Sequence, residues 1–220
     1  AGFKDLLVQR QFGELIIEAG MSLSQLRKSL RSERRSITPL EREEKSQLLA
    51  RNLARYLPFR RCKKLAVYLS LPEEIDTSPV IELAQLLRKA IYLPVIDTRV
   101  WQKQSMMFAL YLPGETPLRE NRFGIREPAV KPGNCIRGID IEFVCVPVVG
   151  FNDRCDRIGM GGGYYDKAFD RRRFQQSKLV GLAFESQQAD FEPAKHDVPM
   201  QAVITEDRVI ERVPRGSSTH

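Results

Sequence analysis

At 220 residues, 42% of them hydrophobic, the chain is long enough to bury a full core and is expected to form one domain. Its longest apolar runs, such as Leu65 to Leu71 and Phe143 to Phe151, are too short to span a bilayer, and residues 1 to 20 lack the basic-then-apolar layout of a secretory leader, so a cytoplasmic protein with no membrane partner is expected. The net charge of +7 leaves anionic partners open, whereas four cysteines at 62, 135, 145 and 155, with no C-x-x-C and only two histidines, argue against a zinc site and a disulfide framework.

Residues 1 to 20 precede the early methionine Met21 and read as an extension; the working domain is expected over 21 to 212, with a polar tail from 213 to 220. Leu23, Leu26 and Leu30 recur at helical spacing, while Arg27, Arg31 and Arg34 fall on another line of the same helix, with Arg31 and Arg34 expected in solvent. Thr38-Pro39-Leu40-Glu41 combines an N-cap, a proline in the first turn and a reciprocal acid three residues on, opening a second helix through about Tyr56. Between Met21 and Lys64 there are 13 Lys/Arg against 4 Asp/Glu, a local charge of +9, and the rest of the chain sums to −2. Such an arm suits nucleic acid, or arginines aimed at the phosphates of a nucleotide. It lacks interleaved aromatics, so no nucleic-acid partner is expected.

Lys64 to Ser70 reads as a buried strand, Ser78-Pro79 opens a helix carrying Val80, Leu83, Ala84 and Leu87, and Ile91 to Ile96 reads as the next strand, the spacing of a parallel crossover. Met106 to Leu112 reads as a further strand, and the prolines and glycines from Pro113 to Gly138 as turns. The continuous apolar run Ile141 to Val149 fits a central strand buried on both faces. After a glycine-rich stretch come a helix over Tyr164 to Arg173, a strand over Lys178 to Phe184 and short closing strands at Ala202 to Thr205 and Arg208 to Ile210. This order predicts an α/β fold: a mostly parallel, mixed-edged sheet with helices on both faces and the basic N-terminal helices packed over a nucleotide site.

The glycine-rich stretch, Arg157-Ile-Gly-Met-Gly-Gly-Gly-Tyr-Tyr-Asp166, falls between the central strand and a helix, where α/β proteins place ligands. Gly159, Gly161, Gly162 and Gly163 let backbone N–H groups converge on an anion. No Lys-Ser/Thr pair follows, as a Walker loop requires, and Tyr164 takes the last glycine position of a dinucleotide fingerprint. Arg157 can clamp a phosphate, and Asp166, one turn into the helix, can hold the magnesium that bridges nucleotide phosphates.

This stretch, with Val146-Pro-Val-Val-Gly-Phe151 before it, resembles the signature of the 5-formyltetrahydrofolate cyclo-ligase family. Leu26-Arg27-Lys28, Tyr68-Leu69-Ser70, Glu74-Ile75-Asp76-Thr77, Tyr92-Leu93-Pro94-Val95, Phe123-Gly-Ile-Arg-Glu-Pro128, Val180-Gly-Leu-Ala-Phe184 and His196-Asp197-Val-Pro199 follow in the family's order, so the resemblance spans roughly residues 22 to 210. It implies ATP- and Mg2+-dependent conversion of 5-formyltetrahydrofolate to 5,10-methenyltetrahydrofolate, in a fold similar to the ribose-5-phosphate isomerase and glucosamine-6-phosphate deaminase group. A monomer is expected.

By the same resemblance, Arg27 is an ATP contact, and Arg157 with Gly159, Gly161, Gly162 and Gly163 forms the phosphate cradle. Arg157 and Asp166 are the catalytic pair, Asp166 and Asp197 are the magnesium-associated carboxylates, and Leu69, Glu74 and Tyr164 line the folate site. Where some members carry a lysine four residues before Arg27, this chain has Leu23. His196 is expected to pack or hydrogen-bond rather than catalyse. An ATP-dependent enzyme acting on a different acid is the rival, and Glu74-Ile75 speaks against it.

Overall fold

The computed structural model describes residues 10–11, 14–15, 22–96, 106–169, 177–194 and 197–213, so the expectation for His196 lies outside the described residues. A short antiparallel pair, β1 (Arg10–Gln11) and β2 (Glu14–Leu15), comes first. Helix α1 (Leu23–Ser36) starts at a capping box between Ser22 and Gln25, and α2 (Pro39–Arg55) starts at the expected box between Thr38 and Glu41. Each box satisfies amide donors that the first turn leaves without helical partners. After α3 (Leu57–Arg61) the chain runs through β3 (Lys64–Ala66), α4 (Ser78–Leu86), β4 (Ala90–Val95), β5 (Met107–Leu110), the hairpin β6 (Leu118–Glu120) and β7 (Arg126–Pro128), and β8 (Cys135–Ile136). It then enters β9 (Phe143–Pro147), β10 (Gly150–Phe151), β11 (Arg157–Ile158), α5 (Tyr164–Ala168), β12 (Lys178–Leu182), β13 (Ala202–Ile204) and β14 (Val209–Glu211).

Eight strands form one sheet in the order β14-β13-β12-β9-β3-β4-β5-β8. The inner pairings β13–β12, β12–β9, β9–β3 and β3–β4 are parallel, and β14, β5 and β8 add antiparallel edges. This is the expected mixed-edged α/β sheet. Strand β9 lies between β3 and β12, and its side chains divide between two cores, Phe143 and Cys145 on one face, Val144 and Val146 on the other. The first face packs under Leu49 and Leu53 of α2, Phe59 of α3 and Val80 and Ala84 of α4. The second is covered by Phe169 beyond α5, by Phe151 and Cys155, and by Val198 and Met200. Cys62, Cys145 and Cys155 are buried and all four cysteines are free.

Two departures from the sequence reading shape the site. The glycines do not follow β9 directly: β10 and β11, the latter made by the first two residues of the glycine-rich stretch, pair as an antiparallel hairpin before them. The strand expected over Lys64 to Ser70 ends at Ala66; the Val67 N–H still bonds the Tyr92 carbonyl, and beyond it Tyr68 and Leu69 become cavity wall. Helix α1 lies against that hairpin, with Leu26 and Leu30 packed on Val149, Ile158, Ala189 and Phe191.

Because β3 is central, its packing supports the whole sheet. Leu65→Ala, at 0% exposure, is expected to lower the unfolding free energy by about 2–5 kcal/mol, read as an earlier denaturant midpoint. Leu40→Ala, at 66% exposure, is expected to change it by less than about 0.5 kcal/mol. Equal shifts would contradict the placement of β3 in the core.

Candidate active site

The hairpin delivers the glycine loop to the carboxyl ends of β3, β4 and β9, where Leu69, Pro94 and Pro147 line one cavity of about 510 Å3 with it. Gly161 (φ +97°) and Gly163 (φ +63°) take left-handed conformations that other residues rarely adopt, and Gly163 caps α5 in this way. The backbone N–H groups of Gly161, Gly162 and Gly163 have no hydrogen-bond partner among the described residues. Unpaired amides beside a cavity suit an anion. Gly162 works differently: its φ is ordinary, but a Cβ there would meet the Tyr164 ring at 2.7 Å.

The charges beside the loop are bound to one another. Arg157 is only 8% exposed, and its Nη2 donates to Asp166 Oδ1 at 2.5 Å, while its guanidinium lies over the Tyr165 ring at 5.9 Å. The Val198 N–H also donates to Asp166 Oδ1, at 3.0 Å, which brings the neighbouring Asp197 to the same part of the cavity. Asp166 Oδ2 has no partner among the described residues. Asp197 uses Oδ2 to accept from the Ala194 N–H at 3.0 Å and so closes its own turn. Arg27 donates through Nε to the Gly159 carbonyl at 2.8 Å, tying α1 to the loop. No group of three or more His, Cys, Asp or Glu side chains suited to a metal occurs among the described residues. Two carboxylates are nevertheless the protein donor set that magnesium takes when phosphates and waters complete its shell.

Glu74 is 7% exposed, and its Oε2 accepts from the Leu71 N–H at 3.0 Å. Burial pushes its pKa up, with the Leu71 amide and Arg34 opposing the shift. Neighbouring Tyr68 is held well above the usual phenol range, first by burial and then by the Glu74 charge. Tyr164 receives a hydrogen bond on its hydroxyl from Arg122 Nη2 at 2.9 Å and meets the edge of Phe123 with centroids 5.8 Å apart. Arg122 in turn lies 4.7 Å over the Phe123 ring. This aromatic wall was not foreseen in the sequence, where Phe123 stood only within the resembling segment Phe123 to Pro128.

Arg34 corrects the sequence reading. It is not in solvent but 2% exposed, on the buried line Leu26, Leu30, Arg34, with Nη2 3.6 Å from Glu73 and Nη1 3.7 Å from Glu74. Leu23, read as packing, is 39% exposed and borders the cavity.

Every site residue named from the sequence lines this one cavity: Arg27, Leu69, Glu74, Arg157, Gly159, Gly161, Gly162, Gly163, Tyr164, Asp166 and Asp197. The glycine loop, two aspartates and one buried glutamate share it with mainly apolar walls, the make-up of a small-molecule site.

The profile of the 5-formyltetrahydrofolate cyclo-ligase family matches residues 20–206, and the chain belongs to that family. The 5-formyltetrahydrofolate cyclo-ligase of Haemophilus influenzae is 32% identical over 82% of this chain and 95% of that protein, and the one of Escherichia coli K12 is 31% identical over 83% and 99%. The NMR structure of 5,10-methenyltetrahydrofolate synthetase from Aquifex aeolicus superposes with a TM-score of 0.74 at 28% identity, covering 91% of this chain and 97% of that one.

Gly161→Ala forces an unfavourable φ costing about 1–2 kcal/mol, so it is expected to lower the melting temperature slightly and to abolish most of the further rise produced by added ATP. Gly162→Ala has no such φ penalty and is expected to act by displacing the Tyr164 ring, so that Gly162→Ala adds little further loss of melting temperature in a Tyr164→Ala background. An undiminished ATP-induced rise in Gly161→Ala would remove the loop from anion binding.

Proposed function

We propose that the chain is an ATP-dependent cyclo-ligase that closes 5-formyltetrahydrofolate to 5,10-methenyltetrahydrofolate with release of ADP and phosphate. The observation that carries this reading is the single cavity in which unpaired loop amides, the Arg157–Asp166 pair and buried Glu74 meet.

A formamide carbon is a poor electrophile because its nitrogen donates electron density into the carbonyl. The formyl oxygen attacks the γ-phosphorus of ATP, an O–P bond forms and the bond to the β-phosphoryl oxygen breaks, releasing ADP. N10 then attacks the activated carbon, the C–O bond breaks, phosphate leaves and N10 loses its proton. The loop amides and Arg157 hold the transferring phosphoryl oxygens and face their growing charge, which is where preorganised donors act most strongly. Arg27, through the Gly159 carbonyl, keeps the loop in place. Glu74 accepts from pterin N–H groups, and Tyr164, backed by Phe123, offers a flat face to the ring system. Magnesium would be held by Asp166 and Asp197, where it would neutralise phosphate charge. No nucleophilic side chain is required.

The enzyme acts on small molecules as a cytoplasmic monomer. Three cations of the basic arm are engaged within the protein, which supports a small-molecule role over a nucleic-acid one: Arg34 faces Glu74, Arg42 donates to the Glu74 and Ile37 carbonyls, and Lys45 pairs with Glu206.

Protein, ATP, magnesium and 5-formyltetrahydrofolate are expected to generate the methenyl chromophore, and omission of ATP to prevent it. Asp166→Asn keeps the shape but removes the charge, so kcat is expected to fall roughly 100-fold, with partial recovery at high magnesium. Full turnover by Asp166→Asn, or a chromophore formed without ATP, would overturn the proposal.

A further inference from the structure

We infer that Arg34 is a positioning residue for folate, acting through Glu74. This rests on the reading that Glu74 contacts the folate.

A guanidinium at this place in the fold needs a reason. Position 34 continues the apolar line of Leu26 and Leu30 into the interior, where an aliphatic side chain would pack without desolvation. Arg34 is instead buried with Nε and Nη2 lacking hydrogen-bond partners, its Nη1 reaching only the Val148 carbonyl at 3.5 Å. Packing alone does not account for a charge kept there at such a loss. What Arg34 does face is acid: Glu73 at 3.6 Å and Glu74 at 3.7 Å. It does not line the cavity, whereas Glu74 does. The charge therefore reaches the ligand through Glu74.

The other groups facing Glu74 are few. Arg31 of α1 lies 4.0 Å from Glu73, Arg42 of α2 holds the Glu74 carbonyl rather than its carboxylate, Tyr68 beyond β3 and Tyr165 of α5 are kept neutral, chiefly by burial, and the loop supplies Glu73 and the Leu71 amide. Arg34 and Arg31 are thus the cations opposing the effect of burial on the Glu74 carboxyl. Arg27 and Arg34 are two turns apart, about 10 Å, so one helix braces the glycine loop and the folate acid together.

The sign of the pH effect follows. Burial raises the Glu74 pKa and Arg34 lowers it, so removing Arg34 raises it further, and the carboxylate needed for folate is lost at a higher pH. The test uses the full chain and four variants: Arg34→Met, Arg34→Lys, Glu74→Gln and Arg34→Met/Glu74→Gln. Arg34→Met is expected to raise KM for 5-formyltetrahydrofolate on the order of tenfold, with KM for ATP changed less than about twofold. The acidic limb of kcat/KM for folate is expected to move up by roughly one pH unit and to return in Arg34→Lys. In the Glu74→Gln background, Arg34→Met is expected to add less than about twofold. Should Arg34→Met not fold, the double variant, which has no uncompensated Glu74 charge, decides: kinetics matching Glu74→Gln support the inference, and a further folate-specific loss overturns it. Equal effects on both KM values, an unmoved acidic limb, or additive losses also overturn it. Unchanged folate kinetics in Glu74→Gln would instead remove the folate reading of that residue, and the inference with it.

Discussion

A charge taken out of water must find partners or be neutralised, and the architecture around the cavity follows from that constraint. Arg34, Glu74 and Arg157 are each less than a tenth exposed. Isolated in a low dielectric, each ion would be strongly destabilising; in place, each faces an opposite charge or an oriented amide. The Arg157–Asp166 pair holds the loop end, the Arg34–Glu73/Glu74 cluster holds the acid, and α1 touches both. A ligand entering this cavity meets charges already in position. In the proposed reaction, phosphates and ring N–H groups would take up the unpaired amides and the remaining carboxylate oxygens, so that little reorganisation is needed at the reacting centre.

The sheet makes this placement possible. Parallel strands β3, β4 and β9 end on the same side, where Leu69, Pro94, Ile96 and Pro147 at or just beyond their ends form part of the cavity wall. Strand β9 is buried on both faces, so it can move little. The β10–β11 hairpin leaves from it on a short tether and is pinned by Leu26 and Leu30 of α1. The loop is therefore held at both ends by packed elements, with its glycines free to present amides between them.

The parts of this picture that were legible in the sequence were those with a local physical signature. Ile141 to Val149 is continuously apolar because both of its faces are covered, and Thr38, Pro39 and Glu41 form the capping box their identities call for. Four glycines in five positions exceed what a turn needs. The β10–β11 hairpin was not legible, since two-residue strands carry no periodicity. Arg34 was misread because a cation on a helix is ordinarily solvated; its i+4 spacing from Leu30 was the available sign, but Glu73 and Glu74, its partners, lie some forty residues away in the chain. Arg122 carried no local signal, and only tertiary structure brings it to Tyr164. The placement of Arg27, Glu74, Asp166 and Asp197 in one cavity came from resemblance, which records tertiary proximity that spacing does not.

In the proposed reaction this cavity brings the formyl oxygen to the γ-phosphoryl group, so that the oxygen departs as part of phosphate. Labelling that formyl oxygen with 18O and analysing the released inorganic phosphate by mass spectrometry tests it most directly. Phosphoryl activation places one labelled oxygen in each phosphate formed, in step with methenyl product. Methenyl product accompanied by unlabelled phosphate, with the label lost to water, would contradict it.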